Sequence, residues 1–141
     1  TIIDATVDLP NVRSVVEYAL TEIPAGQIWL GIPAYGYDWP LPFRQGETRA
    51  TSISPQYAVS LARRYGVAIQ YDETAQAPWF RYTDERGTAH EVWFEDARSI
   101  AAKLSLIPEY GLSGAGYWNL MRPFAQNWLV LDSLFHIQDP V

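Results

Sequence analysis

Gly31-Ile32-Pro33-Ala34-Tyr35-Gly36-Tyr37-Asp38-Trp39 is the stretch whose reading decides the fold. It reads as the end of a buried strand, Gln27 to Tyr35, running into an aromatic and acidic cluster. Ile28, Trp29, Leu30 and Ile32 form an almost continuous apolar run, which suits a parallel strand covered on both faces. Upstream, Val12, Val15, Val16, Ala19 and Ile23 recur at helical spacing. Asn11 is the expected N-cap, and Pro24 ends the helix. Helix, short turn and buried strand are half of a βαβ unit. Thr1 to Leu9 reads as a lead-in, either strand or loop.

Downstream the pattern changes. Asp38 to Thr51 is rich in Pro, Gly and charge and reads as loop. Ser54-Pro55 is an N-cap followed by a first-turn proline. Ala58, Leu61, Ala62 and Tyr65 then make a one-sided helix that Gly66 closes. Val67 to Tyr71 reads as a strand. Trp79 to Thr83 and Thr88 to Phe94 alternate around the hairpin turn Asp84-Glu85-Arg86-Gly87. Asp96 caps a further helix, with Ile100, Lys103, Leu104 and Ile107 on one face and the Lys103 stem snorkelling. Leu112 to Trp118 reads as a strand in which Gly114 and Gly116 permit close packing. Pro123 opens a last helix carrying Phe124, Trp128, Leu131 and Phe135.

The expected division is 1–39 as barrel helix and strand, 40–92 as a small α+β insertion, and 93–141 as helix, strand and helix. The class is α/β. Two parallel strands alone leave open edges, and a closed (β/α)₈ barrel removes them. The chain therefore reads as the last two β/α units of a TIM barrel with an insertion.

Composition bounds the chemistry. The chain has 141 residues, with 48% hydrophobic and 18% charged side chains, so it buries one core and is not disordered. With no cysteine, thiolate metal sites and thiol nucleophiles are excluded. A net charge of −6 disfavours nucleic acid. There is no apolar run long enough for a membrane span. His90 and His136 lack the spacing of a metal pair, and no nucleotide fingerprint occurs, so neither metal nor cofactor is expected. Six Trp and nine Tyr supply surfaces able to stack on sugars.

In a barrel, function gathers at the C-terminal ends of the strands. Two such ends are visible: Tyr35, Tyr37 and Asp38 with their neighbours, and Tyr117-Trp118-Asn119. Adjacent strands place them over one opening. Trp118 can floor a sugar subsite, while Tyr35, Tyr37, Asp38 and Asn119 supply hydrogen bonds. Their other reading is an aromatic cap on the core, with Asp38 as a solvated turn residue. Glu91, Glu95 and Asp96 are the carboxylates that invite a general-acid reading. Strand alternation is the plainer account of the first two, capping of the third, and no catalytic residue is assigned.

These residues resemble the C-terminal portion of family 18 glycoside hydrolases, the chitinase-like TIM barrels. GIPAYGYDW resembles the seventh barrel strand and its aromatic exit. Residues 40–92 resemble the chitinase insertion domain. VWFEDARSIAAKLSLIPEYGLSGAGYWNL resembles helix seven and strand eight, ending in the substrate-floor tryptophan, here Trp118. GYDWPLP, HEVWFEDARSI and Asn127-Trp128 resemble the spore-associated, YaaH-like branch, which acts on cortex peptidoglycan. The likeness runs from about Pro10 to Ile137 and implies a spore or cell-wall location.

For a complete relative the resemblance implies retaining hydrolysis at an N-acetyl sugar. The substrate's acetamido oxygen attacks the anomeric carbon, and a glutamate upstream protonates the leaving oxygen. The acidic strand-four signature D-x-x-D-x-D-x-E that carries this glutamate is absent here. So are the M-x-Y-D strand and LysM repeats, and Tyr37 stands where many chitinases have Arg. The implied role is the substrate floor of a glycosidase for N-acetylglucosamine-containing glycans, inactive without the N-terminal barrel half. The alternatives are a non-catalytic glycan-binding or protein-interaction module, and a purely structural insertion with its flanks. Open strand edges predict a homodimer or aggregation; light scattering at high concentration is expected to exceed the monomer mass, and a stable monomer contradicts this.

Overall fold

The computed structural model describes residues 2–4, 8–119 and 121–135. The remainder of the lead-in, Leu120 and His136 lie outside the described residues. The described residues form two sheets. The first is parallel, in the order β1-β2-β8, from Ile2–Asp4, Trp29–Pro33 and Gly114–Trp118. The second is antiparallel, in the order β4-β3-β7-β6-β5. Its strands are β3 Gly36–Pro40, β4 Thr51–Ile53, β5 Gln70–Asp72, β6 Ala77–Thr83 and β7 Ala89–Trp93. Part of the lead-in is thus a third parallel strand.

The helices follow local chemistry. α1 spans Leu9–Glu22 and buries Val12, Val16 and Ala19. Its N-cap is Asp8, not Asn11: the Asp8 carboxylate accepts from the Asn11 backbone N–H, and Pro10 occupies the first turn, where its missing N–H costs nothing. α2, Pro55–Arg64, has the expected Ser54 cap. The helix read through Ile100 to Ile107 is broken at Ser105 into α3, Ala97–Leu104, and α4, Leu106–Tyr110. Gly111 ends α4 in the left-handed conformation. α5 spans Ala125–Leu134.

Each sheet has its own core. Leu30 and Ile32 of β2 meet Val12 and Val16 of α1 and Ile100 and Leu104 of α3. On the antiparallel sheet, Phe80, Val92 and Phe94 pack with Ala58, Leu61 and Ala62 of α2. The chain changes sheets sooner than the expected boundary. β3 already belongs to the antiparallel sheet, paired with β4 and β7, so GYDWP is strand and not the start of a loop. Gly36 makes the crossing possible. A Cβ there would lie 2.5 Å from both Phe94 Cβ and the Trp93 carbonyl oxygen. Gly114 is less tightly enclosed, with a Cβ falling 2.8 Å from the Trp29 ring, whereas Gly116 faces open space.

Lys103 does not snorkel. It is fully buried and pairs with the fully buried Glu95, with Nζ 2.9 Å from Oε1 and 3.0 Å from Oε2. Ser99 Oγ donates to Glu95 Oε2 at 2.6 Å. Burial outweighs the Lys103 charge and the Ser99 hydroxyl, which lower the Glu95 carboxyl, and leaves it raised to about 7. Removing one member strands a buried charge. At mildly alkaline pH, Glu95→Gln or Lys103→Met alone is expected to cost about 3–5 kcal/mol in chemical denaturation. The double replacement is expected to cost less than the two single changes combined.

Candidate functional site

Parallel pairing of β2 with β8 sets Pro33 opposite Trp118, so the two strands end together. The Ala34 N–H donates to the Trp118 carbonyl at 3.1 Å and ties the two exits. Over these ends lies a cleft of about 170 Å³ lined by Tyr35, Tyr37, Ser52, Trp118, Asn119 and Arg122. Trp118 is 72% exposed. Tyr35 and Tyr37 meet edge to face with centroids 5.5 Å apart. Asn119 Oδ1 accepts from the Met121 N–H at 3.1 Å, which holds the turn after β8. That turn delivers Arg122, whose Nη1 donates to Ser52 Oγ at 2.9 Å and to the Ile53 carbonyl at 3.1 Å.

Four of the five expected residues, Trp118, Tyr35, Tyr37 and Asn119, thus line one cleft. Asp38 does not. Strand alternation turns it to the face opposite Tyr37. There it accepts from Tyr82 Oη at 2.6 Å and lies 2.8 Å from His90 Nδ1. The Tyr82 and His90 rings stack at 4.7 Å. Burial first, then the bond to Asp38, pushes the Tyr82 phenol well above its ordinary value. Asp38 is therefore neither a solvated turn residue nor a wall of the cleft; it braces the antiparallel sheet. Ser52 and Arg122 line the cleft without having been singled out from sequence.

The other carboxylates are structural as well. Glu91 accepts from Arg81 Nε at 2.7 Å and Trp93 Nε1 at 2.8 Å. Burial raises this carboxyl, but those two bonds outweigh burial and hold it below the usual range. Asp96 caps α3 through a reciprocal box with Ser99. Glu95 is committed to Lys103. None of the three lines the cleft. Rings continue outward from the cleft along β3: Tyr37 to Trp39 at 6.0 Å, then Trp39 to Phe43 at 5.6 Å. Beside them Trp79 and Trp93 stack at 5.7 Å. No cluster of His, Cys, Asp or Glu suited to a metal ion occurs among the described residues. No helix among them is long and apolar enough to cross a membrane.

The profile of Glycosyl hydrolases family 18 matches residues 4–122. The chain belongs to this family. A relative, the cortical fragment-lytic enzyme of Bacillus subtilis (strain 168), is 56% identical over 126 residues, covering 89% of this chain and 29% of that protein. The crystal structure of the Bacillus megaterium spore cortex-lytic enzyme SleL superposes with a TM-score of 0.89 at 54% identity, covering 97% of this chain and 32% of that one. A chitinase from Chromobacterium violaceum superposes with a TM-score of 0.78 at 32% identity, covering 89% of this chain and 38% of that one. The chain therefore has the α/β architecture of a family 18 C-terminal portion, close in sequence to spore cortex hydrolases, and spans about a third of their length.

The bracing role of Asp38 can be checked. Tyr82→Phe leaves a carboxylate oxygen without its donor and is expected to cost about 1–3 kcal/mol in denaturant melts. Glycan titration of this variant is expected to match that of the unaltered chain.

Proposed function

We propose that this chain supplies the substrate floor of a family 18 glycosidase acting on N-acetyl sugar polymers of the peptidoglycan or chitin type. Trp118 carries the reading. A large, mostly exposed indole at a strand exit, beside Tyr and Asn hydrogen-bonding groups, is what a sugar ring needs: an apolar face to stack on and polar groups at its rim. The names of the relatives, cortical fragment-lytic enzyme and chitinase, support an N-acetyl sugar as the bound unit. Residues 40–92 act in this reading as an insertion that, together with β3 leading into it, raises one wall of the cleft through Ser52, with the rest of 1–39 and 93–141 as the barrel units on either side.

By itself the chain binds without cleaving. Its 141 residues lack the D-x-x-D-x-D-x-E signature that the resemblance assigns to the proton donor. The carboxylates nearest to that task, Glu91, Glu95 and Asp96, are held in structural bonds. In this reading the working partner is the rest of the barrel. The competing reading, a non-catalytic glycan-binding module, shares the cleft and differs in needing no such partner.

Calorimetric titration of the pure chain with chitooligosaccharides and with muramic-containing cortex fragments tests the proposal. Saturable binding that is lost in Trp118→Ala is the expected result, by about 1–3 kcal/mol for one aromatic platform. A cooperatively folded sample that binds neither glycan refutes the floor assignment. Turnover of a soluble chitooligosaccharide by the chain alone refutes its proposed inactivity.

A further inference from the structure

We propose that Glu91 is a positioning residue of the cleft: it locks the Trp93 indole, and through it the Tyr37 ring, so that this wall is set before a glycan arrives. This rests on the reading of the cleft as a glycan site.

Four side chains close on one another on the face of the antiparallel sheet that α2 leaves uncovered. Register places Trp79 opposite Trp93 and Arg81 opposite Glu91, and alternation turns all four to one face. The Trp79 and Trp93 rings stack, 18° from parallel. Trp93 Nε1 donates to Glu91 Oε1 at 2.8 Å. Glu91 Oε2 accepts from Arg81 Nε at 2.7 Å and lies 2.6 Å from Arg81 Nη2. The Arg81 guanidinium closes the circuit, 5.7 Å from the centre of the Trp79 ring. Glu91 is its joint, because one oxygen holds the indole of its own strand and the other holds the cation of the next. Arg81 is 65% exposed, so the ion pair as such adds little stability. What the circuit fixes is the position of the Trp93 ring.

The same register continues into β3. Tyr37 sits opposite Trp93 on one side and Ser52 on the other. Directly opposed Cβ atoms lie about 4.5–5.5 Å apart, so the phenol has an indole on one flank and a hydroxymethyl group on the other. Its ring neighbours along the strand, Tyr35 and Trp39, do not oppose movement across it. Tyr37 and Ser52 line the cleft, and Trp93 does not. A large, fixed side chain behind and a small one in front leave the phenol one direction, forward into the cleft. A Trp93 free to change rotamer would let Tyr37 fall back across β7. A wall ring already held loses little freedom when a sugar meets it.

The alternative is that the circuit only stabilises the sheet. A stabiliser acts on the whole lobe and not on Tyr37 in particular. The experiment uses the full chain with chitotetraose, read by calorimetry, with denaturant melts and circular dichroism alongside. Two stacked indoles couple their transitions, so the Trp79–Trp93 pair has its own dichroic couplet. Glu91→Ala is expected to diminish that couplet and to weaken binding about fivefold, the cost of ordering one side chain on binding. Glu91→Gln keeps an acceptor for the indole without the charge for Arg81, and should fall between. In a Tyr37→Ala background, adding Glu91→Ala should weaken binding no further. Tyr82→Phe, which loosens the opposite face of the same sheet, should lose stability and keep its affinity. Unchanged affinity in a folded Glu91→Ala variant overturns the proposal, as does a loss that persists in full in the Tyr37→Ala background. Where Glu91→Ala does not fold, Arg81→Met decides, since it removes only the exposed cation: part of the loss is expected, and unchanged affinity overturns the proposal. Trp118-dependent binding that is indifferent to Glu91 defeats this inference alone; absence of chitotetraose binding by the unaltered chain defeats the glycan floor and this inference with it.

Discussion

Everything about the cleft depends on one ladder of backbone hydrogen bonds, the parallel pairing of β2 with β8. Its register runs from Trp29 opposite Gly114 to Pro33 opposite Trp118. The two strands are far apart in sequence, and no local preference joins them. A slip of one residue would turn the indole of Trp118 to the helical side and bring Tyr117 to the opening. Two things hold the register. Leu30 and Ile32 are buried against α1 and α3, so their face cannot be exchanged for the other. At the far end the Trp29 ring lies over Gly114, where an added Cβ would fall 2.8 Å from it.

The second constraint is electrostatic and lies at the joint between the two cores. Glu95 ends the extended segment leaving β7, and Lys103 sits near the end of α3. Their pairing, with the Ser99 hydroxyl, fills the space between strand exit and helix with charge that has no access to water. Such a pair adds little net stability compared with apolar packing, but it accepts few alternative geometries. The start of α3 is therefore held in both direction and rotation, and α3 is one of the helices against which β2 packs.

Much of this was legible locally. The apolar spacing of α1 and α2, the Ser54 and Asp96 caps, and the Asp84 to Gly87 turn all depend on residues within a few positions of one another. So does the placement of Tyr35, Tyr37, Trp118 and Asn119 at strand exits. The N-cap at Asp8 instead of Asn11 and the break at Ser105 are local misreadings; the others are long-range. β3 contains Gly36 and Pro40 and reads as loop until β4 and β7 are seen on either side of it. Asp38 reads as solvated because its partners, Tyr82 and His90, lie more than forty residues away. Lys103 reads as a flaw in a helix face because Glu95 sits before the helix begins. Arg122 is not legible locally because its partner Ser52 lies seventy positions upstream. The one local sign was a cation two residues past the exit Tyr117-Trp118-Asn119-Leu120.

The corner at Gly36 bears on how such insertions can be exchanged between proteins. Its backbone lies against Trp93 and Phe94, so the way into the antiparallel sheet and the way out of it share a single point of contact. The atoms met there are the Trp93 carbonyl oxygen and the Phe94 Cα and Cβ, which nearly every residue carries, so whichever parent supplies position 36 has to supply a glycine. The portable unit is therefore larger than the visible lobe: it includes this glycine, without which the strand leaving the lobe has no room to pass.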